Sequence, residues 1–157
     1  MATKGQAVPK GYHSVTPSLV VADGAKAIEF YKKAFDAREI YRFASPDGAI
    51  MHAVVQIGDS MIMLGEEMEG PGGRSPRTIG GTAVHLYIYQ DNVDALWKRA
   101  VDAGAKVVQP LADQFWGDRG GCVEDPSGHQ WWLAQHVKDL SEAELKEAAE
   151  AFFASAR

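Results

Sequence analysis

Hydrophobic and polar positions fall into two successive series of the same kind. After a polar leader, TPSLVV (Thr16 to Val21) puts Leu19 and Val21 on one face, the period-two pattern of a half-buried strand, with Pro17 placing it at an edge or a start. Asp23 opens a helix in which Ala27, Ile28, Tyr31 and Phe35 form an apolar stripe. REIYRFA reads as a strand, Ser45-Pro46-Asp47-Gly48 as a turn, IMHAVVQI as a strand, Gly58-Asp59 as a turn and SMIML as the fourth strand. EEMEGPGGRSPRTIGGT then brings five glycines and two prolines with little apolar content, and reads as a linker that forms no core element. Beyond it come AVHLYIY as a strand, VDALWKRAVDAG as a helix closed by Gly104, AKVVQPL as a strand, and RGGCVED and HQWWLAQ around the turn Asp125-Pro126-Ser127-Gly128. Each half reads β-α-β-β-β.

The halves repeat with a period of 69 residues, since Thr16 matches His85, Asp23 matches Asn92 and Met63 matches Trp132. The chain divides into one domain at 1–136, made of module one at 12–65, a linker at 66–82 and module two at 83–136, and a helical tail at 137–157. In the tail, Ser141 and Glu144 form a capping box, and Leu145, Ala149, Phe152 and Phe153 form a stripe expected to pack on the body or on a partner subunit. The expected fold is α+β: two tandem β-α-β-β-β modules with curved mixed sheets, plus a C-terminal helix.

Composition narrows the classes of function. The chain has 157 residues, 46% hydrophobic and 24% charged, which suits one ordinary globular domain. A net charge of -5 argues against nucleic-acid binding. No run approaches the roughly 18 apolar residues of a membrane span, and MATKGQAVPKGYHS lacks a hydrophobic signal core, so the expected location is the cytoplasm. The single cysteine, Cys122, excludes an intramolecular disulfide and a multi-cysteine zinc site.

The phrases VTPSLVVADGAKAIEFYKKAF, VDALWKRAVDAGA and DPSGHQWWLAQ, set in tandem β-α-β-β-β modules, resemble the vicinal oxygen chelate superfamily, which includes glyoxalase I, bleomycin- and fosfomycin-resistance proteins and extradiol dioxygenases. HAVVQIGDSMIML, the glycine-rich linker and QFWGDRGG are similar to its PhnB-like subgroup. The resemblance implies sheets curled around a shared concave cavity in which catalytic members hold a divalent metal. The four positions that supply its ligands correspond here to Thr16, Met63, His85 and Trp132. Only His85 is an ordinary ligand for such an ion, so the resemblance implies no metal and no cofactor at the usual site. The alternative is a displaced site built from His85 with His52 or Glu124.

Strand alternation assigns the rest of the lining. Met51, Ala53, Val55 and Ile57 are expected to face the helices, turning His52, Val54 and Gln56 to the concave side. Val84, Leu86 and Ile88 do the same for His85, Tyr87 and Tyr89, while Met61, Met63 and Trp132 point inward. Trp116, in the glycine-rich stretch QFWGDRGG, is expected to cover something apolar at the cavity mouth, whereas Asp118 and Arg119 read as surface charges that pair with others. The candidate ligand-binding residues are His52, Met63, His85, Tyr87, Trp116 and Trp132, an aromatic and methionine-rich set suited to a small organic molecule. Catalytic residues are not identified.

Three functions follow as expectations. The first is a protein that binds a small organic ligand, aromatic or cationic, in a metal-free cavity and works as a homodimer. The second is a lyase, isomerase, dioxygenase or thiol transferase with a displaced metal. The third is an interaction subunit without a small ligand.

Overall fold

The computed structural model describes residues 4–156; Met1–Thr3 and Arg157, the ends of the expected leader and tail, lie outside the described residues. Module one contains β1 (Ser18–Val21), α1 (Gly24–Phe35), β2 (Arg38–Ala44), β3 (Ile50–Ile57) and β4 (Ser60–Glu66). A short helix, α2 (Pro76–Ile79), follows in the linker. Module two contains β5 (His85–Tyr89), α3 (Val93–Asp102), β6 (Lys106–Asp113), β7 (Asp118–Glu124) and β8 (Gln130–His136), and the chain ends in α4 (Glu142–Ser155). Among the described residues no helix is long and apolar enough to cross a membrane.

The elements begin where local chemistry places them. The Asp23 and Asn92 side chains accept from the backbone N–H three residues on, capping α1 and α3, and Ser141 with Glu144 closes the capping box of α4. The strands form two four-stranded mixed sheets, ordered β1-β4-β3-β2 and β5-β8-β7-β6, with β1 parallel to β4 and β5 parallel to β8. No ladder joins one sheet to the other among the described residues, so no barrel closes.

The repeat is visible in the register. Ser18 opposite Met63 corresponds to Tyr87 opposite Trp132, each 69 residues later. Arg38 opposite Gln56 corresponds to Lys106 opposite Glu124, at a spacing of 68. Module two thus loses a residue at its shorter helix and regains it in the turn between β7 and β8.

The modules meet through their helices and a shared aromatic core. Trp131, on the helix-facing side of β8, packs against Tyr31 and Phe35 of α1 at ring separations of 5.4 and 4.9 Å. Burying aromatic surface on this scale stabilises a fold by a few kcal/mol per ring, about 25 cal/mol per Å². Polar groups complete the joint: the Asp125 carboxylate accepts from Tyr31 Oη at 2.6 Å, Trp131 Nε1 at 3.0 Å and the backbone N–H groups of Ser127 and His129. His129 Nε2 meets the Val20 carbonyl at 2.8 Å, and the Ala22 N–H donates to Ser127 Oγ.

Three expectations change. Met51 is exposed, because a bulge between Phe43 and Ala44 inserts it as an extra residue opposite β2 and turns Ile50 into the core instead. Val84 lies before β5 and is exposed. The linker, expected to form no core element, carries α2 and is tied down: Ser75 is fully buried, Glu67 accepts from the Ser75 N–H and the Thr78 hydroxyl, and the Arg77 N–H donates to the Ser127 carbonyl.

Candidate functional site

The face of each sheet turned away from the helices is where the candidate residues lie, because alternation along each strand sends the aliphatic side chains to the core and the remainder to the opposite side. On module two, β5 contributes His85, Tyr87 and Tyr89, paired with Gln130, Trp132 and Ala134 of β8. Tyr87 stacks on Trp132 with centroids 5.6 Å apart and planes 5° from parallel, and Tyr89 stacks on Tyr87 at 6.0 Å. Trp116, in the turn leading into β7, meets Trp132 edge-on at 6.3 Å, and Phe115 beside it touches Phe152 of α4. The outcome is an unbroken run of rings from the C-terminal helix to the edge strand β5. Tyr87 and Tyr89 are 48% and 58% exposed, so this face is open to an incoming molecule.

Behind the rings sits Asp118, only 4% exposed, with which Cys122 shares the face of β7. One Asp118 oxygen accepts from the Tyr89 hydroxyl at 2.9 Å and the Trp116 indole N–H at 3.1 Å; the other meets His136 Nδ1 at 2.7 Å. The expectation that Asp118 is a surface charge is therefore wrong. Its register opposite His136, at the first position of β7, brings it under Tyr89 and Trp116, and no local pattern announces this. Arg119, one residue on and facing the other way, does pair at the surface, with Asp94 and Asp113. Burial, reinforced by the Asp118 charge, holds the Tyr87 and Tyr89 hydroxyls above the ordinary tyrosine value. Burial also pushes up the Cys122 thiol, which disfavours the reactive thiolate.

Of the six candidates, Tyr87, Trp116 and Trp132 come together on this face. His85 is exposed at the start of β5, beside Gln130. His52 and Met63 belong to the other sheet. His52 Nε2 lies 3.2 Å from the Tyr41 hydroxyl, and Met63 is half-buried between Ser18 and Val54. That second open face displays Tyr41 and Phe43. Tyr41 and His136 carry no role in the sequence pattern, and Asp118 carries only that of a surface charge. For Tyr41 the signal was available, since it alternates with Phe43 on β2.

A concavity lies next to the aromatic face and not on it. It is a groove of about 620 Å³ between the β3–β4 turn, the segment leading into β1 and strand β5, with Ile57, Ile62, Leu86, Ile88 and Trp131 as an apolar floor. Tyr87 and Tyr89 line it as well, so the two features share an edge.

The donor set does not fit the divalent metal of catalytic relatives. Thr16, whose hydroxyl donates to the His13 carbonyl, Met63 and Trp132 offer no imidazole, carboxylate or thiolate to join His85. The displaced set is not assembled within the chain either: Glu124 lies 3.7 Å from Lys106, and among the described residues no three His, Cys, Asp or Glu side chains cluster to hold a metal ion.

Two tandem four-stranded modules with this topology define a paired βαβββ protein. The chain belongs to the Glyoxalase/Bleomycin resistance protein/Dioxygenase superfamily, whose family profile matches residues 11–133. It is 45% identical over 138 residues to an uncharacterized protein of Mycobacterium bovis, covering 86% of this chain and 91% of that one. Among solved structures it is similar to TioX from Micromonospora sp. ML1, with 28% identity, a TM-score of 0.64, and coverage of 80% of this chain and 99% of TioX. A PhnB protein from Bacillus cereus shares the fold at 18% identity and a TM-score of 0.61, over 78% of this chain and 99% of that one.

Proposed function

We propose that the protein binds a small, planar organic molecule on the aromatic face of module two, without a metal. The observation that carries this reading is the run Tyr89, Tyr87, Trp132 and Trp116, in which Tyr87 and Tyr89 are exposed, Trp116 is half-buried and Trp132 is buried against them, while the Asp118 carboxylate behind is buried and engaged. Flat, rigid rings offer stacking area at little entropic cost, and their electron-rich faces attract cations. The Tyr89 hydroxyl, its proton committed to Asp118, keeps a lone pair with which to accept from a ligand donor. A planar cationic or hydrogen-bond-donating aromatic compound meets all three features.

A second copy of the chain completes the site in this reading. Tyr41 and Phe43 on one sheet, and Tyr87 and Tyr89 on the other, leave two apolar faces uncovered, and exposed patches of this kind mark interaction surfaces. The PhnB-like affiliation expected from HAVVQIGDSMIML and QFWGDRGG is supported by the shared fold of the Bacillus cereus protein. The reading carries with it the cytoplasmic location expected from the sequence.

The test is a thermal-shift and calorimetry screen of planar aromatic cations, run with the protein as purified and again after chelation. The expected result is saturable binding that survives chelation and is lost in Trp132→Ala. Binding that requires a stoichiometric metal would overturn the metal-free reading. Binding unaffected by Trp132→Ala would move the ligand elsewhere, with the groove beside Tyr87 as the next place to look.

A further inference from the structure

We propose that His136 is a proton-operated latch that fastens the C-terminal helix beside the aromatic face, closed while the imidazole is protonated and released when it loses its proton. The geometry requires the proton. His136 Nδ1 lies 2.7 Å from Asp118 Oδ1, and Nε2 lies 2.9 Å from Asp139 Oδ1. A neutral imidazole has one N–H and one lone pair, so it can donate to one carboxylate only, and the other contact would set a lone pair against an anionic oxygen. Both contacts hold together only in the imidazolium form.

The two carboxylates belong to different parts of the structure. Asp118 is the buried anchor of Tyr89 and Trp116, whereas Asp139 is fully exposed on the connector between β8 and α4. The connector is otherwise held by the Val137 and Lys138 N–H groups, both donating to the Gly117 carbonyl. The helix itself has no buried residue. It rests on the 114–117 turn through Phe152 and Phe153, 4.9 and 6.3 Å from Phe115. With so few contacts, one charge-assisted bridge is a large share of what docks α4.

The groups around His136 are Asp118 on β7, Tyr89 on β5 reached through Asp118, and Lys138 and Asp139 on the connector, with Glu144 of α4 close enough to Lys138 to feel its charge. Two nearby carboxylates against one ammonium favour the cationic ring. Hydrogen bonds to Asp118 and then Asp139 accordingly hold His136 above its ordinary value. A group whose value is raised by docking contributes fully below about 6.5, and its contribution is lost as pH rises through the raised value. Release would free the 114–117 turn and with it the edge of Trp116 against Trp132. The latch is independent of whether the aromatic face binds a ligand.

The test is hydrogen exchange of the full chain at pH 6 and pH 8.5, corrected for the intrinsic pH dependence of exchange. Protection across 137–156 is expected to fall at the higher pH, tenfold for each unit by which docking raises the His136 value, while β3 and β8 stay protected. Asp139→Asn is expected to shrink the step and His136→Gln to abolish it. Equal protection at both pH values in the unaltered protein, or a step that persists in His136→Gln, overturns the latch. Should His136→Gln fail to fold, an NMR titration of the unaltered protein decides: a His136 value above about 6.5 supports the latch and one at or below it refutes it.

Discussion

Tyr87 and Trp132 face one another across the parallel pair of β5 and β8, within 5° of parallel, while the neighbouring Trp131 points the opposite way into the core. Two adjacent tryptophans therefore have different physical roles, one supporting an open face and one cementing the modules.

Their substitutions are expected to separate. Trp131→Ala removes a ring packed against Tyr31 and Phe35 and leaves a cavity, at a cost of about 3–5 kcal/mol. Trp132 is also buried, at 7% exposure, but it is covered only by the half-open Tyr87 and Trp116 and lies outside the main core, so Trp132→Ala is expected to cost less. Urea unfolding of both variants checks the order, and an equal or larger loss for Trp132 would mean that its ring is core.

Asp125 gives a second prediction. Tyr31→Phe deletes one bond to a buried carboxylate and is expected to cost about 1.5–3 kcal/mol in the same assay. Asp125→Ala is expected to cost more, since Tyr31, Trp131 and two backbone N–H groups lose their acceptor together.

Acid should act partly through Glu39, which the Arg42 guanidinium, helped by the Lys32 ammonium, holds at about 2 against an ordinary 4.5. A carboxylate depressed on folding stabilises above its ordinary value and ceases to as pH falls toward the depressed one. The advantage of the native protein over Glu39→Gln is expected to be largest above pH 5, at most about 1 kcal/mol for so exposed a network, and to vanish near pH 2. Urea midpoints of the pair across that range test it. A gap that widened with acid would reverse the assignment.

Gly117 has φ +95°, and a Cβ there would collide with the Lys138 carbonyl oxygen. Gly117→Ala is expected to displace the connector and cost about 1–3 kcal/mol, visible as lost protection over 137–140. Unchanged protection would show that the connector adapts.

What was legible in the sequence was what short-range chemistry determines. Asp23, Asn92 and Ser141 announced helix starts because a cap needs only its own first turn, and the alternation on β5 separated Leu86 and Ile88 from Tyr87 and Tyr89. The bulge at Met51 was hidden because it depends on how β2 and β3 pair. Asp118 was hidden for a related reason: besides Trp116, two residues before it, its partners are Tyr89 and His136, which come from two other strands 29 and 18 residues away. Met63 and His85 were grouped with Trp132 by the resemblance and His52 was added by alternation, yet within one chain His52 and Met63 lie on the module-one sheet and His85 and Trp132 on the module-two sheet, a matter of how modules are arranged and not of what any strand prefers.

The extra residue in the β7–β8 turn has a consequence for the ancestry of such chains. That turn carries Asp125 and Ser127, which hold module two to Tyr31 and Ala22, whereas its shorter counterpart at Gly58 and Asp59 makes no equivalent bond. The duplicated halves are therefore no longer interchangeable: a chain built from two copies of module one is expected to fold both sheets yet lack the Asp125 and Ser127 bonds that fasten them.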